Sequence, residues 1–319
     1  MYLCKHKIIS PMRFVDIKND VAFRKIFGNT KKTKCLISFL NAVLGLDGTH
    51  RVAQVTLVDP YLLPRIKGEK ASIIDVRATD LLGRQFIVEM QVADKEGFKK
   101  RVQYYAAKDY SLQIQKGDEY SLLNPTYFIG ILNFPFGENE SYHTKHLTID
   151  QETGEHLLTD IQFAFIQLTK FKKKTHELVT MVDKWTYFIK NARTLDVIPE
   201  NTDDEGLRDA YDQAERYNWS KDELMNYDVA SMREQDARGE LSKAKRDGRE
   251  EGREEGIKEG IKEGIKEGIK EGIKEGIKEG TLAIARTSLA QGLSVSLVSK
   301  ITGLTEQEVE EIADELSEK

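Results

Sequence analysis

The sequence predicts an α/β fold, a mixed sheet flanked by helices, followed by a helical region, a tetrapeptide-repeat segment and a small helical C-terminal tail. Three observations carry that expectation. Apolar periodicity runs in the order helix, three strands, helix, strand over residues 16–134, an alternation typical of layered α/β domains. Residues 203–245 are polar and helix-favouring. Glycine then recurs at every fourth position from Gly248 to Gly280. The chain accordingly divides into a core at 12–195, a helical extension at 196–244, the repeat at 245–280 and a short helical module at 281–319.

Residues 16–44 read as helix. Val21, Phe23, Ile26 and Phe27, then Leu36, Ile37, Phe39, Leu40, Val43 and Leu44 recur at helical spacing, with a break near Gly28-Asn29-Thr30. Residues 52–58 alternate as a strand and stop at Asp59-Pro60. Two apolar runs follow, Ile73-Ile74-Asp75-Val76 and Phe86-Ile87-Val88-Glu89-Met90-Gln91-Val92. Residues 94–117 read as a helix with Phe98, Val102, Tyr105, Ala106, Leu112 and Ile114 on its apolar side and Gly117 as its stop. Residues 127–134, rich in β-branched and aromatic side chains, form a buried strand. Residues 143–149 and 163–168 add two candidate strands, and residues 175–192 a helix.

Asp75 and Glu89 stand out because carboxylates inside apolar, β-favouring runs are costly in a core. Between their runs lies Thr79-Asp80-Leu81-Leu82-Gly83-Arg84, where Gly83 suits a left-handed turn position. A three-residue loop at 81–83 pairs Asp80 with Arg84. Counting back one residue per strand then pairs Asp75 with Glu89, with Cβ atoms roughly 4.5–5.5 Å apart. A loop one residue longer or shorter puts the two acids on opposite faces. Gln91, two residues beyond Glu89, shares its face. Two facing carboxylates suit a hard cation such as Mg²⁺, and that arrangement points to metal-dependent nuclease chemistry.

Composition narrows the setting. No apolar run is long enough to span a membrane. The opening Met1-Tyr2-Leu3-Cys4-Lys5-His6-Lys7 lacks a signal-peptide core, and Met12 is an alternative start. The two cysteines, Cys4 and Cys35, make neither a disulfide framework nor a CxxC signature, which suits a reducing, cytoplasmic setting. The net charge of −5 is unevenly spread: residues 1–135 hold 21 Lys+Arg against 13 Asp+Glu, leaving 27 against 40 for the rest. A basic front half suits DNA, through salt-sensitive and sequence-blind phosphate contacts. An unevenly charged soluble domain has the same signature.

Phosphodiester hydrolysis needs an activated water, neutralisation of developing charge and support for the leaving oxygen, all of which one or two Mg²⁺ ions can supply. Asp75, Glu89 and a backbone carbonyl between them suffice for an ion that keeps several waters; Mn²⁺ is the alternative metal. Gln91 can orient a water or touch a phosphate, but it carries no charge and is no base. On the following helix Arg101, Tyr104, Tyr105 and Lys108 share a face by three- and four-residue spacing. Arg101, Tyr104 and Lys108 are candidate phosphate contacts; a solvated face with tyrosines at the core edge is the plainer reading.

Asp75…Glu89-x-Gln91, followed by Phe98-x-x-Arg101-x-x-Tyr104-Tyr105, resembles the PD-(D/E)XK nuclease superfamily. More closely it is similar to the Rpn group of recombination-promoting nucleases, also described as transposases. Lys18-Asn19-Asp20-Val21-Ala22-Phe23-Arg24-Lys25-Ile26-Phe27-Gly28 resembles that group's opening helix, and Phe39-Leu40-Asn41-Ala42-Val43-Leu44 the next. Asp75-Val76-Arg77-Ala78 and Val88-Glu89-Met90-Gln91 look like its catalytic strands, and Gly117-Asp118-Glu119-Tyr120 the turn after them. The likeness covers about residues 15–190, in six segments in the right order. It implies a restriction-endonuclease-like core and a Mg²⁺-dependent DNA endonuclease, with Asp75 and Glu89 as metal ligands and Gln91 as the third catalytic position. Gln91 stands where the wider superfamily usually has lysine, which leaves the positive charge without an obvious owner; Arg101 is the candidate substitute. Asp20 is a candidate auxiliary acid, although a helix-start role explains Asn19-Asp20 as well. The alternative is a non-catalytic DNA-binding or oligomerising scaffold on a decayed nuclease fold.

The last six repeat units are Ile-Lys-Glu-Gly, beginning at Ile257. A four-residue period drifts about 40° per unit on an α-helix, so the isoleucines form a slowly wrapping stripe, and a supercoil following it would be right-handed. Nine helical glycines cost roughly 8 kcal/mol relative to alanine, more than ion pairs of about 0.2–0.5 kcal/mol each recover. Two readings fit: a helical spacer that associates with copies of itself, giving a homo-oligomer, and a flexible linker grown by tandem duplication. The tail resembles a helix-turn-helix, with a Thr305/Glu308 capping box. Its second helix carries Glu306, Glu308, Glu310, Glu311, Asp314 and Glu315, charges that phosphates repel, so protein association is expected of it rather than DNA reading.

Overall fold

The computed structural model describes residues 13–62 and 72–317; Cys4 and the alternative start at Met12 lie outside them. The expected helical stretch 16–44 is two helices, α1 (Asp20–Phe27) and α2 (Lys34–Leu44). Asn19 caps α1, its side chain accepting from the N–H groups of Val21 and Ala22. Strands β1 (Val55–Leu57), β2 (Tyr61–Leu62), β3 (Ser72–Ile73), β4 (Val76–Asp80) and β5 (Gln85–Gln91) follow. Helix α3 (Phe98–Ser111) leads to β6 (Thr126–Leu132), β7 (His143–His146) and β8 (Ile161–Gln167). Helices α4 (Met181–Asn191) and α5 (Glu205–Ala214) come next.

Helix α3 is shorter than the expected 94–117. The chain turns at residues 96–97 before entering it. Beyond Ser111 the Gln113 side chain binds both backbone polar groups of Asn124, at 2.9 Å each, and so ties the chain to the start of β6. Gly117 therefore lies in the connecting loop rather than at the helix end.

Six strands form one mixed sheet in the order β1-β4-β5-β6-β8-β7. β5, β6 and β8 run parallel, and the remaining neighbours are antiparallel. Parallel β5 and β6 need a crossover, and α3 supplies it. The β4–β5 hairpin has the register expected of a three-residue loop: Thr79 faces Gln85, Arg77 faces Ile87 and Val76 faces Val88. Gly83 takes φ 78° in that loop, and the Asp80 carboxylate accepts from the N–H groups of Leu82 and Arg84, both at 3.0 Å.

Alternation along the strands makes two buried faces. Val76, Ala78, Phe86, Val88, Met90, Ile129 and Ile131 join one core with α1, α2, α4 and α5, including Trp185 and Tyr211. Ile87, Phe128 and Phe165 point the other way, against Phe98, Val102 and Ala106 of α3. Covering both faces explains why these strands are apolar at almost every position. Glu89 and Gln91, in phase with Ile87, project on the α3 side. Within the helical extension 196–244, α5 buries Leu207, Ala210, Tyr211 and Ala214 in the larger core.

The chain divides into two compact units between Gln235 and Asp236. Helix α6 (Lys221–Ala290) passes through that point and carries the whole glycine repeat in helical form. Its isoleucines, from Ile257 to Ile277, are 52–65% exposed. In the second unit α7 (Val295–Thr302) and α8 (Glu306–Ser317) pack Val298, Val309 and Ile312 against Ala285 of α6. The expected capping box is formed: the Thr305 hydroxyl accepts from the Glu308 N–H at 3.3 Å, and the Glu308 carboxylate accepts from the Thr305 N–H at 2.8 Å.

Candidate active site

Asp75 does not lie inside a strand. It occupies the bend between β3 and β4, opposite Glu89 of β5 when the hairpin register is continued one step. The expectation of an unbroken strand through 73–76 is corrected here, and the reason is local bonding. The Asp75 N–H donates to Glu89 Oε1 at 3.3 Å. In return the Met90 N–H donates to Asp75 Oδ2 at 2.9 Å. Each carboxylate is thus held by the backbone of the segment that carries the other.

The pair is nearly dry, with Glu89 5% exposed and the Asp75 side chain 11% exposed. Burial pushes the Glu89 carboxyl up to about 8, and the charge of Asp75 adds to that shift. The N–H of Asp75, the Arg101 guanidinium and the Gln91 amide pull the other way. Asp75 is raised as well, by burial first, against the Met90 N–H and the Arg24 guanidinium. Two neighbouring acids whose ionisation burial disfavours form a place where a cation is stabilising.

Gln91 and Arg101 extend the site. The Gln91 amide donates to Glu89 Oε2 at 2.8 Å, and Arg101 Nη2 donates to Gln91 Oε1 at 2.7 Å. A second guanidinium arrives from the opposite side: Arg24, on α1, donates to Asp75 Oδ1 at 3.0 Å. Sequence reasoning did not single out Arg24. The available signal was its position one turn after Asp20, which places both on one side of α1. Asp20 itself is exposed at the first position of α1 and bears on Asp75 through its charge. Of the three phosphate candidates on α3, Arg101 joins the acid pair and Tyr104 is 42% exposed. Lys108 is buried with its ammonium 5.7 Å over the Tyr104 ring, so it offers a phosphate little surface.

Among the described residues no group of three or more His, Cys, Asp or Glu side chains could hold a metal ion. The donor set at the acid pair is two carboxylates, with backbone groups beside them. Such a set suits an oxygen-seeking cation that retains much of its water, and does not suit a four-ligand zinc site.

A helix-flanked mixed sheet, with paired acids at a hairpin and a glutamine two residues on, defines a nuclease-type fold. The chain belongs to the family described as PD-(D/E)XK nuclease family transposase, which matches residues 17–244. Residues 278–314 match a second description, the Rpn/YhgA-like nuclease family C-terminal HTH domain. The helix-turn-helix likeness of the tail therefore stands, with the acids of α8 included in it. No curated protein and no solved structure matches the chain. No helix among the described residues is long and apolar enough to cross a membrane.

Proposed function

We propose that this chain is a Mg²⁺-dependent DNA endonuclease, also active with Mn²⁺, that hydrolyses phosphodiester bonds in cytoplasmic DNA during recombination or mobile-element movement. The observation that carries the reading is the reciprocal bonding of Asp75 and Glu89, which holds two buried carboxylates as neighbours. Asp75 and Glu89 would hold the ion. Held there, Mg²⁺ would supply an activated water and neutralisation of the charge developing on the phosphate. Gln91 fixes the orientation of Glu89 through its amide. Arg101 holds Gln91 and brings positive charge close to the phosphate position. Asp20 is proposed as an auxiliary acid through its charge on Asp75, and Tyr104 as an exposed DNA contact.

In this reading residues 12–195 are the catalytic core, 196–244 its helical extension, 245–280 a self-association helix and 281–319 a C-terminal module. Nicking of supercoiled plasmid with Mg²⁺, by the wild type and by Asp75→Ala, tests it. Loss of nicking in the variant is expected; equal cutting by both removes the assignment. Gln91, in place of lysine, favours one second reading, a non-catalytic DNA-binding scaffold. Metal-independent DNA binding with no nicking under Mg²⁺ or Mn²⁺ selects that reading.

A further inference from the structure

On the α3 side of the sheet, past the acid pair, lies a cavity of about 420 Å³, within the range of about 300–1,000 Å³ found for small-ligand sites. Phe136, Phe163, Phe165 and His146 form its walls, and Lys99 and Gln103 of α3 stand at its rim. The sheet connects it to the site. Glu89, Gly130 and Phe165 lie in register across β5, β6 and β8. With strands about 4.8 Å apart, Phe165 stands roughly 10 Å from Glu89 on the same face. Gly130 between them has no side chain, and the Phe165 ring lies over it: a Cβ there would meet that ring at 2.7 Å. The aromatic wall therefore begins one strand away from the carboxylates.

We propose that this cavity receives an unstacked nucleobase of the DNA substrate, one neighbouring the bond to be cut. The substrate class is then DNA that is single-stranded or locally unpaired at the cleavage point. The inference rests on the nuclease reading and deepens it. The lining holds a cluster of rings, with Phe136 and Phe165 tilted at 39° and their centroids 4.5 Å apart, and His146 edge-on to Phe165 at 5.3 Å. Such surfaces accept any base, because every base has a π-face. Lys99 lies 5.5 Å from the Phe136 centroid, placing positive charge where the phosphate attached to a seated base would pass. Gln103, exposed at the rim, can meet a base edge. No acidic side chain is among the described residues that line the cavity, so its charge complements DNA while the acid pair beyond it keeps to the metal. An unpaired base reaches such a pocket without the cost of breaking a base pair.

The test is binding of the full chain to labelled oligonucleotides by fluorescence anisotropy in EDTA, so that cleavage plays no part. Single-stranded and bulged DNA should bind more tightly than a matched duplex of equal length. Phe136→Ala should weaken binding to unpaired DNA by about 5- to 150-fold, the usual loss for one stacking platform, and leave duplex binding unchanged. Thr148→Trp, at an exposed position on the cavity rim, should block entry with the same selectivity and remains informative if Phe136→Ala does not fold. A 2-aminopurine at the unpaired position should change its emission on binding the wild type and not on binding Thr148→Trp. Equal affinity for paired and unpaired DNA, or affinity untouched by Thr148→Trp, overturns the pocket. Mg²⁺-dependent nicking without any preference for unpaired DNA removes the pocket and keeps the nuclease. Preference without nicking removes the nuclease and keeps the pocket as a base-binding site.

Discussion

Arg101 donates a 2.7 Å hydrogen bond to Gln91, and Gln91 donates a 2.8 Å hydrogen bond to Glu89. A full positive charge is thereby held two contacts away from the carboxylate that faces Asp75. In the proposed function this relay would stand in for the lysine missing from Asp75…Glu89-x-Gln91: the neutral residue spans the distance and the guanidinium on α3 would provide the charge. Arg101→Ala should lower the nicking rate by roughly 10- to 100-fold, the usual loss when a partner orienting a metal ligand is removed, with thermal unfolding little changed. Gln91→Lys, which puts the charge directly beside Glu89, should retain activity in the Arg101→Ala background. Undiminished nicking by Arg101→Ala would show that the relay has no catalytic part.

The pH dependence follows from Glu89. Its carboxyl rises from an ordinary 4.5 to about 8, chiefly through burial. Between those values the folded protein keeps a proton that the unfolded chain has released. Stability of the metal-free protein therefore falls as pH rises through that interval. In the proposed function Mg²⁺ would have to displace the same proton, so its affinity should increase toward pH 8, and titration should release protons to the buffer. Calorimetry in buffers of different ionisation enthalpy reads that release directly. Glu89→Gln should flatten the stability slope in EDTA and abolish proton release. A Mg²⁺ affinity constant from pH 6 to 8 contradicts the scheme.

Arg24 holds the Asp75 oxygen that a metal ion would need in the proposed function, so the two would compete. The guanidinium lies 3.0 Å from Asp75 Oδ1, and its side chain is 51% exposed, so solvent screens the pair. Removing it should tighten divalent-metal binding by only about 1.5- to 5-fold, the range of a surface ion pair. Terbium luminescence at the site, compared between wild type and Arg24→Ala, measures this. Weaker metal binding in the variant would instead make Arg24 the residue that positions Asp75 for the ion.

These geometries were legible in the sequence to different depths. The position of Gly83 between two apolar runs was enough to set the hairpin register, because register propagates rigidly from a tight turn. That register alone brought Asp75 and Glu89 together. The bend that releases Asp75 from the strand was not visible, since it is held by tertiary bonds to Glu89 and Met90 rather than by any turn residue. Arg24 was missed for a related reason: its contact spans 51 residues and depends on where α1 packs. The burial of α5 did leave a trace. Leu207, Ala210, Tyr211 and Ala214 recur at helical spacing, but the polar residues around them hid the stripe.

The repeat poses the last test. Each glycine of α6 from Gly248 to Gly280 has open space where a Cβ would be, so nothing among the described residues requires glycine there. The isoleucines from Ile257 to Ile277 are likewise left facing solvent. A helix that bears the cost of nine glycines and buries none of its isoleucines is poorly stabilised alone. Close approach of a second copy, along the glycines and over the isoleucines, would provide the missing burial at about 25 cal/mol for each Å² of apolar surface. The full chain should therefore sediment as a concentration-dependent homo-oligomer. Replacing the six isoleucines by serine should give a monomer and reduce the helical signal at 222 nm. Replacing Gly260, Gly264 and Gly268 by alanine separates the alternatives further: helicity rises in either case, but association weakens only if the backbones approach closely there. A monomeric wild type with its full helical signal would leave the segment a spacer and remove self-association from the proposed function.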